Sequence, residues 1–332
     1  MKRQKLGTSD IEVSPMALGC WALAGGSGWG DQDEGEAIAT IHAALDQGIN
    51  FLDTAEAYGG GYSEEIVGKA LVGRRDEAVL ATKISPNHAE PSVLRDYFEA
   101  SLRRLQTDYV DHYIVHWPIA SDWVADSFAV LADLKKEGKI RSIGVSNYGP
   151  QQLSEAIEAG AQIDNNQLHY SLLSRAIEFE ILPLCREHGV TATAYMPLLQ
   201  GLLTGKFRTI DDVPEFRLRT RHFSGDRPMS RHGAPGAEEE TFAALDGVRA
   251  IAEDLGEPMA NVALAWVMAQ PGLVSAIAGA RRPDQIARNV KAAELALSPE
   301  TIARLNAATD ALKQELGPCV DYWNTLENSR TR

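Results

Sequence analysis

Four side chains of the kinds that transfer protons lie in the first half of the chain, close to the ends of three apolar segments. An acid and a phenol follow the first segment, an ammonium ends the second and an imidazole ends the third; the four residues are Asp53, Tyr58, Lys83 and His116. Singly, such residues are most often a helix cap, a surface charge or a packing side chain. If the three segments are parallel strands of one barrel, their carboxyl ends share one rim, and the four groups meet there.

These four groups together fit the reduction of a carbonyl group. The phenol of Tyr58 can donate its proton to the oxygen of an aldehyde or ketone, and the ammonium of Lys83 is expected to lower the phenol pKa from its usual value of about 10. Asp53 would pair with Lys83 so that no unpaired charge is buried, and His116 would orient the substrate oxygen. Because no side chain supplies hydride, the chemistry requires a nicotinamide.

The elements around these residues alternate regularly from residue 16 onward. Short apolar segments are each followed by a stretch with apolar side chains at helical spacing, and the predicted strands are 16–20, 50–52, 78–82, 109–115, 140–145, 163–165, 190–195 and 273–278. Eight such units predict an α/β fold, the (β/α)8 TIM barrel. The alternative is an open doubly wound sheet, which usually begins with a phosphate-binding glycine pattern. The glycine-rich segment 25–30 lacks that pattern, so we interpret it as a flexible loop.

Three segments lie outside this repeat, although all 332 residues are predicted to form one barrel domain. Residues 1–15 predict an N-terminal β-hairpin, and residues 298–332 predict an additional C-terminal helix followed by a tail. The long connection 196–237 after the seventh strand, here called the lid, contains six arginines and is typical of a binding loop. A disordered, solvated loop is the alternative. Tyr322 and Trp323 suggest that the tail packs against something, for which a second subunit of a homo-oligomer is one candidate.

The charge balance limits the classes of partner. Lys and Arg total 32 against 46 Asp and Glu, which gives a formal net charge of −14 and a pI of about 5.1. An acidic surface argues against nucleic acid and anionic membranes as partners, and no apolar run is long enough to span a bilayer. Cys20, Cys185 and Cys319 are too far apart for a zinc site or a disulfide framework. We therefore expect a cytoplasmic protein with no bound metal.

Several motifs occur at the ends of the predicted strands in a specific order. The segments 53–64 (DTAEAYGGGYSE), 115–118 (VHWP) and 139–147 (KIRSIGVSN) follow one another, with Lys83 after the first. With these motifs the chain resembles the aldo-keto reductase superfamily over nearly its whole length. The resemblance implies a TIM barrel and NADPH bound in extended form without a Rossmann fold. It also implies catalysis by a tetrad, which is Asp53, Tyr58, Lys83 and His116.

The resemblance further implies cofactor-binding residues. Ser146, Asn147 and Gln167 match positions that contact the nicotinamide carboxamide. Tyr195 matches the aromatic ring that stacks on the nicotinamide, with core packing as the alternative. Met196 stands where serine is common in relatives, so that contact is expected to differ. The lid residues matched to the segment along the pyrophosphate are Pro197, Leu198, Gln200, Gly201 and Lys206.

A phosphate site is predicted after the eighth strand, where a helix begins. Helix N-termini attract anions, and guanidinium groups form paired hydrogen bonds with phosphate. The resemblance places the 2′-phosphate and adenosine of NADPH near Gly279, Arg281, Arg282, Gln285 and Asn289. The arginine pair favours NADP over NAD, and a solvated basic helix start is the alternative. In many relatives an acid precedes the asparagine, but here the residue is Arg288, so the adenine contact is expected to differ.

The substrate pocket is expected to have aromatic walls. Trp21 follows the first strand and is assigned to both cofactor and substrate, while Trp117 follows His116, with core packing as its alternative. Together with Tyr58 and His116 they are the predicted substrate residues. Such walls suit a sugar-like or aromatic carbonyl. The predicted function is NADPH-dependent reduction of an aldehyde or ketone, including a carbohydrate aldehyde; the alternatives are a nicotinamide-binding regulatory subunit and an NAD-linked sugar dehydrogenase.

Overall fold

The computed structural model describes residues 1–26, 29–325 and 327–332, so Ser27 and Gly28 of the glycine-rich segment lie outside the described residues. The strands are β1 Gln4–Lys5, β2 Glu12–Val13, β3 Met16–Gly19, β4 Phe51–Asp53, β5 Val79–Ile84, β6 Val110–Val115, β7 Ile140–Ser146, β8 Asn165–His169, β9 Thr191–Tyr195 and β10 Leu273–Gly279. Strands β3 to β10 pair in parallel, each with the next, and β10 closes against β3. This closed barrel with surrounding helices is the predicted (β/α)8 TIM barrel.

Ten helices cover the outside of the barrel in the described part of the chain. They are α1 Glu34–Asp46, α2 Tyr62–Ala70, α3 Leu94–Leu105, α4 Val124–Lys136, α5 Pro150–Glu158, α6 Ile181–Glu187, α7 Glu238–Leu255, α8 Met259–Met268, α9 Pro283–Glu294 and α10 Pro299–Leu316. Helices α7 and α8, which precede β10, were not predicted from the sequence. The start of α10 follows from its cap: Ser298 accepts a hydrogen bond from the backbone N–H of Thr301, and Pro299 occupies the first turn.

The sixth barrel strand is shifted from its predicted position. Residues 163–165 were the predicted strand, but β8 begins at Asn165 and continues to His169. The apolar pattern fails here because the strand contains buried amides that have partners. Asn165 Nδ2 donates to Thr191 Oγ1 at 3.1 Å, and Asn166 Nδ2 donates to the Tyr148 carbonyl oxygen at 2.9 Å. Polar residues can therefore form a buried strand where neighbouring elements satisfy them.

The N-terminal hairpin β1–β2 closes the end of the barrel opposite to the strand carboxyl ends. Its apolar side chains Leu6, Ile11 and Val13 pack with those of the barrel strands. Gly7 N donates to Thr191 Oγ1 at 2.9 Å. Gly7 has a φ of +59°, and a Cβ on it would lie 2.1 Å from the Asp164 carbonyl oxygen, so only glycine fits this close approach. The hairpin therefore leaves the strand carboxyl ends, at the other end of the barrel, uncovered.

The lid and the tail both pack on the barrel. Apolar lid residues are buried, among them Phe207, Leu218 and Phe223, so the lid is not a solvated loop. Tyr322 of the tail is fully buried; its ring stacks on His222 of the lid at 5.1 Å between centroids. The tail aromatics thus pack on the chain's own barrel and lid, which confirms the expectation that the tail packs against something and identifies the surface within this chain.

The remaining features concern membranes, thiols and metals. In the described part of the chain, no helix combines the length and the hydropathy that crossing a bilayer requires. Cys20, Cys185 and Cys319 are buried, free thiols. Among residues 1–26, 29–325 and 327–332, no group of three or more His, Cys, Asp or Glu side chains is arranged to hold a metal ion.

Candidate active site

Three strand ends bring the tetrad together at the carboxyl rim of the barrel. Lys83 of β5 is fully buried, and its Nζ donates to Asp53 Oδ1 at 2.7 Å and to the Tyr58 phenol oxygen at 3.2 Å. The third donor of the ammonium bonds the Thr54 carbonyl oxygen at 2.7 Å, so all three have acceptors. Asp53 ends β4, and Tyr58 begins the short 3-10 turn that follows it. The imidazole of His116, after β6, lies edge-on to the Tyr58 ring with centroids 5.8 Å apart.

Burial and charge set the protonation states of this cluster. Burial opposes the ammonium of Lys83, but Asp53 and Tyr58 together outweigh it and raise the pKa of Lys83. Burial is also the largest influence on Tyr58 and raises its pKa, against the opposite effect of Lys83. The expected net lowering of the Tyr58 pKa is therefore wrong in this structure. The phenol is held in its protonated form, which is the form that can donate.

The imidazole of His116 is held neutral. Burial, reinforced by the positive charge of Lys83, lowers the pKa of His116 to about 3. The backbone carbonyl of His116 accepts a hydrogen bond from Asn147 Nδ2 at 3.1 Å, which fixes the start of the loop after β6 to the end of β7. A neutral imidazole beside the phenol can donate one hydrogen bond to a substrate oxygen without adding a second positive charge to the site.

Two carboxylates, neither of which was predicted to have a role, hold the segment that follows β4 and contains Tyr58. Glu56 accepts a hydrogen bond from the backbone N–H of Ser85 at 2.7 Å. Glu64, which is fully buried, accepts from Thr82 Oγ1 at 2.5 Å and from Arg104 Nε at 2.6 Å. Both therefore tie the segment after β4 to the neighbouring strand β5, next to Lys83.

The residues predicted to contact the carboxamide meet beside the tetrad. Gln167 of β8 donates from Nε2 to Asp53 Oδ2 at 2.7 Å. Ser146 Oγ donates to the Gln167 carbonyl oxygen at 2.9 Å, and Asn147 Nδ2 donates to Ser146 Oγ at 3.0 Å. Tyr195 OH donates to Asn147 Oδ1 at 2.6 Å. These amide and hydroxyl groups offer both donors and acceptors, as an amide ligand requires.

Three stacked rings, those of Tyr195, His169 and Trp323, extend from this group of residues into the protein. Tyr195 stacks on His169, and His169 stacks on Trp323 of the tail, with 5.4 Å between centroids in both pairs. His169 is buried, and neither ring nitrogen has a hydrogen-bond partner among the described residues. Burial lowers the pKa of His169 to about 3, so it packs as a neutral ring. Tyr195 is thus half-buried at the rim, with one face against the protein interior.

The lid residues predicted to contact the pyrophosphate surround a left-handed turn. Leu199, Gln200 and Gly201 have φ values of +41°, +52° and +90°. A Cβ on Gly201 would lie 3.2 Å from Arg217 Nη1 and 3.5 Å from Lys206 Nζ, so two cations converge on this turn. Arg217 Nη1 is buried without a hydrogen-bond partner in the described part of the chain. Two cations at a turn, one with an orphaned donor, fit an anionic group. Pro197 and Leu198, also predicted here, immediately precede the turn.

The predicted phosphate-binding segment after β10 is already hydrogen-bonded within the chain. Arg281 Nε donates to Gln32 Oε1 at 2.7 Å, and its Nη1 donates to the Trp29 carbonyl oxygen at 2.5 Å. The side chain of Gln285 accepts from the backbone N–H groups of Arg281 at 2.6 Å and of Arg282 at 3.2 Å. Arg281 therefore joins the loop after β3 to the start of α9.

The second arginine of that segment pairs with an acid. Arg282 Nε lies 3.1 Å from Asp284 Oδ1, and Arg288 Nη2 lies 2.7 Å from Asp284 Oδ2. Asn289 follows on the same helix, and Gly279, the last residue of β10, is exposed at the rim. All predicted residues of this segment lie together at the start of α9, but the guanidinium groups of both arginines have protein acceptors.

Aromatic side chains form the mouth of the site. Trp21 is 47% exposed; its ring stacks on Tyr58 at 5.8 Å and lies edge-on to Trp29 at 5.5 Å. Trp117 is half-buried, with the guanidinium carbon of Arg330 3.6 Å from its ring centroid. The core-packing alternative for Trp117 is therefore wrong, because the ring lies at the rim beneath a tail residue.

Comparison with known proteins assigns the family. The model of the aldo/keto reductase family matches residues 15–310. The chain belongs to the aldo/keto reductase family. An aldo-keto reductase of Bacillus subtilis (strain 168) is 37% identical over 297 residues, which are 86% of this chain and 87% of that protein. The NADH-specific methylglyoxal reductase of Escherichia coli (strain K12) is 35% identical over 337 residues, 95% of this chain and 100% of that protein.

A solved structure agrees with this assignment. The glycerol dehydrogenase of Gluconobacter oxydans is 34% identical, covers 95% of this chain and 96% of its own, and superposes with a TM-score of 0.79. The resemblance seen in the motifs is thereby confirmed. As an aldo/keto reductase, the chain is an oxidoreductase of small carbonyl compounds that works with a nicotinamide cofactor.

Several residues near the site had no role in the sequence analysis. His169 contacts Tyr195, Arg330 contacts Trp117 and Asp321 holds Arg330, all through contacts between distant parts of the chain that no local pattern marks. Arg217 was noted only as one of six lid arginines. Gln32, the partner of Arg281, follows the glycine-rich segment, and neither its residue type nor its spacing from other residues predicts this contact.

Proposed function

We propose that the chain reduces an aldehyde or ketone to an alcohol, with NADPH as the reductant and Tyr58 as the proton donor. The observation that supports this proposal is the position of Lys83 Nζ, which bonds both the Asp53 carboxylate at 2.7 Å and the Tyr58 oxygen at 3.2 Å. The ammonium thus stands beside the oxygen that becomes negative when Tyr58 gives up its proton, and Asp53 compensates the charge of the ammonium before the reaction.

The proton transfer follows from this arrangement. Bound nicotinamide would supply hydride to the carbonyl carbon. As the carbon–oxygen double bond becomes single, its electron pair moves to the oxygen, which takes the proton of Tyr58. The phenolate left on Tyr58 is stabilised by Lys83 and recovers a proton from solvent. The neutral His116 donates a hydrogen bond that orients the substrate oxygen.

The cofactor residues fit a dinucleotide. Ser146, Asn147 and Gln167 would hold the carboxamide, and Tyr195 would stack on the nicotinamide ring. The orphaned donor of Arg217 and the ammonium of Lys206, converging on Gly201, would hold the pyrophosphate. Arg281 and Arg282, at the start of α9, would turn to the 2′-phosphate of NADPH, with Gln285 and Asn289 beside the adenosine.

A second candidate is an NAD-linked dehydrogenase that oxidises a sugar alcohol. The observation that favours it is that Arg281 already bonds Gln32 and Arg282 already bonds Asp284. To bind a 2′-phosphate, the two arginines would have to break these contacts and form new ones with the phosphate. Among the relatives, one is named an NADH-specific methylglyoxal reductase and another a glycerol dehydrogenase. The ratio of kcat/KM for the two cofactors distinguishes the candidates.

The substrate is proposed to be an aromatic or carbohydrate carbonyl, because Trp21, Trp29 and Trp117 surround the mouth.

We further propose that all 332 residues form one domain and that the chain works in a reducing cytoplasm, in keeping with its three free thiols. A homo-oligomer formed through outer surfaces of the tail stays a proposal, to be tested by light scattering.

The test measures NADPH and NADH oxidation with methylglyoxal, sugar aldehydes, aromatic aldehydes and ketones. We expect turnover in the wild type and a fall in kcat of about 10² to 10⁴ in Tyr58→Phe, the usual contribution of general acid catalysis. Tyr62→Phe is the matched control, since it removes a phenol that bonds Glu34 at the surface. Full turnover in Tyr58→Phe would refute the mechanism. Tight NADPH binding without turnover on any substrate would favour the regulatory subunit.

A further inference from the structure

Arg330 of the tail reaches the mouth of the site, where neither the tetrad nor the predicted cofactor residues require it. Its guanidinium carbon lies 3.6 Å from the centroid of the Trp117 ring. A guanidinium this close to an indole face makes a cation–π contact. Trp117 directly follows His116, whose imidazole faces Tyr58, so a residue that fixes the Trp117 ring also fixes one side of the space in front of the tetrad.

A single buried carboxylate holds Arg330 in place. The side chain of Asp321 has no exposed area, and its two oxygens accept from Nε and Nη2 of Arg330, both at 2.8 Å. The backbone N–H of Arg330 also bonds Asp321 Oδ2 at 3.1 Å, and Asn324 Nδ2 bonds the same oxygen at 2.8 Å. Paired hydrogen bonds of this kind fix the plane of a guanidinium as well as its position. The Asp321–Arg330 pair therefore determines where the cation lies over Trp117.

The tail is attached to two other parts of the chain near this pair. Next to Asp321, the carbonyl oxygen of Tyr322 accepts from the backbone N–H of Arg221 in the lid at 2.7 Å. At the other member of the pair, Gln152 of α5 donates from Nε2 to the Arg330 carbonyl oxygen at 3.0 Å, and the Arg332 carbonyl oxygen accepts from Gln151 N at 2.8 Å. The backbone on each side of the Asp321–Arg330 pair is therefore hydrogen-bonded to another part of the chain, the lid on one side and α5 on the other.

We propose that Asp321 and Arg330 are positioning residues that hold Trp117 as a fixed wall of the substrate pocket. Through this wall, the site binds carbonyl substrates that carry an aryl or sugar ring more tightly than three-carbon carbonyls. A three-carbon substrate is held by Tyr58 and His116 at its reacting group and has no body to reach the wall, whereas a ring is large enough to contact the part of the indole that Arg330 leaves uncovered. The inference specifies the substrate class of the proposed reductase and rests on that function.

The test compares benzaldehyde with methylglyoxal in Arg330→Met, which keeps the length of the side chain but removes the charge and its hydrogen bonds. We expect KM for benzaldehyde to rise about fivefold, a ratio in keeping with a lost cation–π contact. We also expect kcat to stay the same and methylglyoxal kinetics to be unchanged. Arg330→Lys keeps the cation without the paired hydrogen bonds. Its KM for benzaldehyde should lie between that of the wild type and that of Arg330→Met. Arg304→Met is the control, because Arg304 of α10 is about as exposed as Arg330 and also pairs with an aspartate, the exposed Asp254, at 2.5 Å.

A second readout does not depend on turnover. The acrylamide quenching of Trp117 is obtained as the difference between each protein and its Trp117→Phe counterpart, and we expect it to increase in Arg330→Met but not in Arg304→Met. In Trp117→Phe, the Arg330→Met substitution should add no further increase in KM. Unchanged quenching together with an unchanged benzaldehyde KM would overturn the proposal. If the wild type reduced no carbonyl, the proposed function would fail, while the quenching would still decide whether Arg330 holds Trp117.

Discussion

Gln167 donates a 2.7 Å hydrogen bond to Asp53 across 114 positions of the chain. It bonds Oδ2, while Lys83 bonds Oδ1 at 2.7 Å, so the carboxylate is held by an amide on one side and an ammonium on the other. The residue expected at the nicotinamide carboxamide and the residue expected to stabilise the phenolate are thus joined through one buried acid. A substitution at any of the three residues should therefore alter the hydrogen bonding and charge balance of the other two.

Loss of Lys83 should destabilise the fold because it leaves Asp53 as a buried charge without its cation. Lys83→Met is expected to lower the free energy of unfolding by about 3 to 5 kcal/mol, the usual cost of breaking a buried ion pair. Adding Asp53→Asn should restore a large part of that loss. Urea unfolding measures both, with Lys69→Met as control, because Lys69 pairs with Glu34 at the exposed surface. Equal effects of Lys83→Met and Lys69→Met would contradict the prediction.

Acid should unfold the chain through its buried neutral histidines. Burial lowers the pKa to about 3 in His112, His116 and His169 and to about 4 in His222. Between the ordinary pKa near 6.5 and these values, only the unfolded chain binds the protons, so stability falls as pH falls, by up to about 1.4 kcal/mol per pH unit for each histidine.

The variant His169→Phe tests this account. It keeps a ring between Tyr195 and Trp323 but removes two buried nitrogens that have no partner among the described residues. We expect a higher melting temperature at pH 5 and a shallower dependence of the unfolding free energy on pH. His188→Phe, at an exposed position, should leave that dependence unchanged. A slope in His169→Phe as steep as in the wild type would contradict the assignment.

Cofactor preference should depend on Arg282. We expect Arg282→Met to lower kcat/KM for NADPH by about tenfold or more, the value of a hydrogen bond to a charged group, and to leave NADH nearly unaffected. Lys291→Met is the control, since it removes a cation from the other end of the same helix α9. Steady-state kinetics with both cofactors measure the ratio. An equal fall for NADPH and NADH would show that Arg282 does not recognise the 2′-phosphate.

The attachment of the tail to α5 should depend on the absence of a side chain at Gly149. A Cβ there would lie 2.3 Å from the Arg332 carbonyl oxygen, while its φ of −77° suits any residue. Gly149→Ala should therefore displace residue 332 without straining the helix and speed hydrogen exchange of the Gln151 amide. Ser154→Ala, on the same helix, should leave that exchange unchanged. Unchanged exchange in Gly149→Ala would refute the contact.

Much of the barrel and the tetrad could be predicted because local patterns specify them. Lys83 ends an apolar strand, where a charge needs a partner, and Asp53 ends the strand before it. The position of β8 was harder to predict, because Asn165, Asn166 and Gln167 are buried polar residues whose partners lie on other elements. Hydrophobic periodicity does not detect a strand of that kind.

The protonation state of Tyr58 and the role of the tail depend on three-dimensional packing. Residue types alone show that Lys83 favours the phenolate of Tyr58, but the degree of burial decides the net direction of its pKa. The contacts of Arg330 with Trp117 and of Trp323 with His169 join segments that are far apart in the chain. Such contacts have no signature in one sequence.

The hairpin that closes the barrel is synthesised before the strands to which it binds. Gly7 bonds Thr191 across 184 positions, and Thr8 bonds Asp164 across 156. During synthesis, the surface that binds Leu6, Ile11 and Val13 is therefore incomplete until the residues around Asp164 and Thr191 have left the ribosome. Contacts of such long range are slow to form. In the growing chain the apolar side chains of this hairpin therefore stay exposed until those later strands exist.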